Sequence, residues 1–62
     1  MIQTKVKKSY PKALRMVVYI GFIIVFNDSD KRYLYSKYSD ITRLTAEDAL
    51  NDAIELKNLL IN

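Results

Sequence analysis

Residues 16–26 read Met-Val-Val-Tyr-Ile-Gly-Phe-Ile-Ile-Val-Phe, an uncharged run between Arg15 and the polar quartet Asn27-Asp28-Ser29-Asp30. A membrane-spanning helix needs about 20 apolar residues, so the run is too short by nearly half. The quartet after it offers no small-residue cleavage site of the kind a signal peptide needs. Val17, Val18, Ile20, Ile23, Ile24 and Val25 are β-branched, and Tyr19, Phe22 and Phe26 are aromatic. Such side chains lose rotamer freedom in a helix and fit a pleated surface. The stretch reads as a buried β-strand, and the rest of the chain organises around it.

Downstream, the short side chains of Asn27-Asp28-Ser29-Asp30 bond their own backbone and reverse the chain. Lys31 to Tyr38 then alternates, with Arg32, Leu34, Ser36 and Tyr38 facing one way and Lys31, Tyr33, Tyr35 and Lys37 the other. This is the second strand of a hairpin, running on towards Asp40 or Ile41. Upstream, Ile2 to Lys8 alternates weakly and forms a lysine-bearing edge strand, ended by Pro11. From Thr45 the pattern changes period. Thr45 can cap the backbone N–H of Asp48, and apolar residues recur at Ala46, Ala49, Leu50, Ala53, Ile54, Leu56, Leu60 and Ile61. The spacing predicts a helix whose Leu50, Ala53, Ile54 and Leu60 pack on the sheet. Glu47, Asp52, Glu55 and Asn62 share its polar side.

The expected fold is therefore α+β: a small three-stranded antiparallel sheet with one C-terminal helix packed on one face. It is a single domain over 1–62, with a basic arm and edge strand at 1–15, a β-hairpin at 16–41 and an amphipathic helix at 45–61. The central strand is apolar on both sides. Met16, Val18, Ile20, Phe22, Ile24 and Phe26 line one face, and Val17, Tyr19, Ile23 and Val25 the other. One helix covers one face only, so the second must find other cover, in a homodimer or on a partner. The reading places Tyr19 and Ile23 on that open face, where Gly21 marks a bulge or a close backbone approach.

Composition limits the chemistry. The chain has 62 residues, no Cys, no His, one Gly and a net charge of +3. Disulfides, thiolate or imidazole metal sites, His-dependent triads and Gly-rich phosphate loops are all excluded. Asp28 and Asp30 resemble the start of a calcium loop that lacks its Gly and closing Glu, so they read as a turn. Ser29 and Ser36 have no base beside them in sequence. The expectation is a protein that is not an enzyme, with no cofactor and no metal. Charge is uneven along the chain. Lys5, Lys7, Lys8, Lys12 and Arg15 meet no acid within residues 1–15, whereas residues 45–62 set Lys57 against Glu47, Asp48, Asp52 and Glu55.

Two resemblances accompany these patterns. Thr45-Ala46-Glu47-Asp48-Ala49-Leu50-Asn51-Asp52-Ala53 resembles the helix start of HicB-type antitoxins, which place a Thr-x-Glu-x-Ala-Leu stretch after a small sheet. Their Pro-Leu-Pro-Gly-like approach is replaced here by Ser39-Asp40-Ile41-Thr42-Arg43-Leu44. The order sheet-then-helix is similar to the amino-terminal DNA-binding domains of tyrosine integrases, whose aromatic and glycine strand pattern this chain lacks. No functional residue carries over from either.

The expected function is that of a small regulatory or inhibitory binding protein in the cytoplasm. Its Lys-, Ile-, Asn- and Tyr-rich composition suggests a phage or mobile-element source. It would act by protein–protein contact through the open sheet face, as a homodimer or on a foreign protein, with Tyr19, Ile23, Tyr33 and Tyr35 as anchors. The alternative is nucleic-acid binding through Lys5, Lys7, Lys8, Lys31, Arg32 and Lys37, where cations and aromatic rings interleave.

Overall fold

The computed structural model describes residues 1–61, so Asn62, expected on the polar side of the helix, lies outside the described residues. Strand β1 spans Ile2–Ser9, β2 Val18–Phe26 and β3 Tyr33–Arg43, and helix α1 spans Ala46–Ile61. The strands form one antiparallel sheet in the order β1-β2-β3. The fold is the expected small α+β unit.

Local chemistry sets the boundaries. In the β2–β3 turn, Asn27 Oδ1 accepts the Ser29 N–H at 2.8 Å and Asp30 Oδ1 accepts the Arg32 N–H at 3.0 Å. The Asn27 N–H closes the loop on the Arg32 carbonyl at 2.8 Å. Lys31 occupies the left-handed region, with φ 57°. Lys31 and Arg32 thus belong to the turn, and β3 begins at Tyr33 and continues two residues past Ile41. At the start of α1 the Asp48 N–H donates to Thr45 Oγ1 at 3.2 Å, and Glu47 and Asp48 sit at the positive end of the helix dipole.

The covered face is the reverse of the one expected. Pairing of β1 with β2 is regular from Ile2↔Val25 to Ser9↔Val18, so Tyr19, Gly21, Ile23 and Val25 share a face with Ile2, Thr4, Val6 and Lys8. That is the face under α1. A Cβ placed on Gly21 would lie 2.0 Å from the Ala49 carbonyl oxygen and 2.9 Å from the Ala53 nitrogen. Ile23 is 0% exposed, as are Ala49 and Ala53. The helix reaches backbone contact where the strand lacks a Cβ, and it arrives on two of its three alanines, Ala49 and Ala53. Leu50, Ile54 and Leu60, expected to pack on the sheet, are instead 39%, 41% and 43% exposed. The buried hydrophobic residues are Val18, Ile23, Ala49 and Ala53, a thin core for a domain of this length.

Candidate partner-binding face

With α1 on one side, the side chains of Ile20, Phe22, Ile24 and Phe26 point to the other, all half-buried. The register builds cross-strand rows around them. Lys7, Ile20 and Thr42 form one row, Lys5, Phe22 and Tyr38 the next, and Gln3, Ile24 and Ser36 a third. Phe26 and Tyr33 complete the face. The Phe22 and Tyr38 rings stack at 4.6 Å between centroids and 19° between planes. Phe26 and Tyr33 meet edge-on at 6.4 Å, and the Tyr33 hydroxyl donates to Ser36 Oγ at 3.3 Å. From Val18 to Phe26 the face is about 27 Å long. No carboxylate stands in these rows.

Strand β3 has two irregularities, and one of them changes which of its side chains join this face. Ser39, Asp40 and Ile41 together oppose Gly21, a bulge in which Ser39 Oγ accepts the Ile41 N–H at 3.2 Å. Leu34 is the extra residue between the Val25↔Tyr35 and Phe26↔Tyr33 pairs. That second bulge shifts Tyr33 to the side of Ser36 and Tyr38, and Tyr35 stays with Val25 on the helix side.

The expected anchors are therefore dispersed. Ile23 is the largest fully buried side chain and cannot touch a partner, and Tyr19 shares its helix-covered face. Tyr35 lies on that side as well, at an exposed edge, leaving Tyr33 alone on the open face. The basic residues divide in the same way. Lys5 and Lys7 border the open face, Lys8 and Lys37 pair with Tyr19 and Ile23 on the other, and Lys31 and Arg32 lie in the turn. Phe22, Ile24 and Tyr38 take the central place instead. Gly21 was the signal that could have located them, since a strand glycine at mid-length marks where a second backbone comes in.

At one end, where Pro11 stands beside the sheet, Val18 and Ile20 floor a notch of about 260 Å³ walled by Tyr38 and rimmed by Lys7, Ser9 and Thr42. It has room for one large apolar side chain. A second cleft, of about 350 Å³, lies between the β3 bulge and α1, lined in part by Lys37, Asp40, Glu55 and Leu56. Arg43 holds its floor: Nε and Nη2 donate to Asp52 Oδ2 and Oδ1 at 2.7 and 3.0 Å. The bidentate bond lowers the Asp52 pKa and raises that of Arg43 further. Asp52, expected on the solvent side, is thus a strand-to-helix tie.

Among the described residues no three acidic side chains gather at metal-binding distance, and no helix is long and apolar enough to cross a membrane. The chain matches no protein-family model, and no curated protein or solved structure matches it either.

Proposed function

We propose that this protein is a small non-enzymatic regulatory or inhibitory protein that acts by protein–protein contact through the sheet face opposite α1. The observation that carries this is the row Ile20, Phe22, Ile24 and Phe26, apolar, half-buried and turned away from α1. Rigid rings flanked by aliphatic side chains are the material of interface centres, and the lysine and hydroxyl borders form a polar rim. The same reading has the protein act in the cytoplasm.

A nucleic-acid reading draws on one observation: Lys5 and Lys7 stand on the side away from the α1 acids, where a polyanion would meet no carboxylate. The apolar row between them and β3 argues against it, because it offers no donors to phosphates or base edges. Capture from a cell lysate, with and without nuclease, tests the proposal. A protein retained after nuclease and lost on Phe22→Lys is the expected result. Capture that vanishes with nuclease would replace the protein reading by the nucleic-acid one.

A further inference from the structure

We infer that in the free protein the open face is occupied by a second copy of this chain, docked about a two-fold axis parallel to β2. This rests on the reading of that face as the contact surface and names its occupant.

The first argument is area. A compact monomer of 7.2 kDa exposes about 4,100 Å². This chain exposes 4719 Å², roughly 600 Å² more. Each partner of a standard interface buries about 800 Å², so the excess is close to one side of a small one. The second argument is the core. Among the described residues the buried hydrophobic side chains are Val18, Ile23, Ala49 and Ala53, and the chain has no cysteine, so oligomerisation is a route by which so small a core gains apolar burial. Two open faces packed about 10 Å apart would bury Ile20, Phe22, Ile24 and Phe26 against their counterparts.

The third argument is charge, and it selects the axis. A two-fold along β2 sets β1 of one copy over β3 of the other. Lys5 then meets the second copy's Tyr38, a cation on an aromatic ring, and Lys7 meets its Thr42 hydroxyl. A two-fold across the strands would set the Lys5 and Lys7 rows against each other, which like charges disfavour. A foreign target of the open face must therefore compete with the dimer, so concentration itself regulates how much binding surface is free.

Sedimentation equilibrium from low micromolar to millimolar protein tests the inference. The expected mass rises from one chain towards two. Tyr38 is 46% exposed, so Tyr38→Lys should leave the fold intact, which far-UV circular dichroism checks. It should weaken the dimer about tenfold, because it opposes two cations. Adding Lys5→Glu should restore it. Single cysteines at Ile20 or Ile24 should each cross-link to themselves with a short bismaleimide, because the proposed axis keeps every β2 residue opposite its own copy.

A mass of one chain at millimolar concentration overturns the inference. So does a dimer that ignores Tyr38→Lys and is lost on Ile54→Glu, which would put the contact on the helix flank. A mass that rises only on adding duplex oligonucleotide overturns it in favour of a polyanion. If the chain is monomeric yet Tyr38→Lys still abolishes capture of a foreign protein, the dimer alone fails. If the dimer behaves as expected and Tyr38→Lys captures foreign protein as wild type does, the dimer stands and the functional reading fails.

Discussion

Gly21 and Ala49 meet backbone to backbone: a Cβ on Gly21 would stand 2.0 Å from the Ala49 carbonyl oxygen. No side chain can occupy that space. Gly21→Ala must push α1 off the sheet, at a cost of about 3 kcal/mol or more. The whole stability expected of a chain this long is about 3–9 kcal/mol. Chemical denaturation should find the variant largely unfolded or sharply destabilised, and a midpoint like that of the wild type would disprove the contact.

Ile23 and Leu50 separate the buried side chain from the half-exposed one. Ile23→Ala empties the centre of the core and should cost about 2–5 kcal/mol. Leu50, 39% exposed, should cost about 1 kcal/mol on truncation, because much of its surface is already wet. Equal losses in urea melts would contradict the placement of α1.

The Arg43–Asp52 pair gives stability a dependence on pH. The Asp52 pKa is lowered in the fold by its bond from Arg43. Its contribution is therefore complete above the ordinary carboxylate pKa of about 4, and is lost as the pH falls through the lowered value. Asp52→Asn should destabilise the protein at neutral pH and flatten the acid limb of its stability profile. An acid limb unchanged by the substitution would assign that loss to other carboxylates.

Lys31 sits at φ 57°, a region in which its Cβ crowds the backbone. Glycine has no such conflict, so Lys31→Gly should stabilise the protein by about 0.5–1 kcal/mol despite its greater freedom when unfolded. Thermal melts of the two proteins decide the sign.

Salt separates the two classes of partner. Contact through the apolar row should hold its affinity as salt rises, since buried apolar contact is barely screened. Duplex DNA held by four lysines or arginines would lose affinity with a log–log slope of about −3 to −4. Fluorescence titrations at two salt concentrations distinguish these outcomes, and sub-micromolar binding lost with Lys5 and Lys7 would favour nucleic acid.

The sequence by itself determined the elements, because the forces that make them are local. β-Branched and aromatic residues at 17–26 specify a strand, Asn27-Asp28-Ser29-Asp30 a reversal, and Thr45 with a recurring apolar stripe a capped helix. Chain order then left few ways to assemble them, and the three-stranded sheet with its C-terminal helix was legible in advance. It also showed that β2 is apolar on both sides, so that a single helix leaves one of them open. Which side was a tertiary decision. Both faces of β2 are hydrophobic enough for the helix, so periodicity could not choose, and the choice fell to a steric fact at one residue. Only at Gly21 can the helix backbone come close, and that buries Ile23 and turns Phe22 outward. The one-residue bulge at Leu34 then moved Tyr33 to the open face, whereas the Ser39 to Ile41 bulge, with two extra residues, left the facing of β3 unchanged. A single inserted residue reverses the facing of every side chain beyond it, and alternation in sequence does not reveal where pairing will slip.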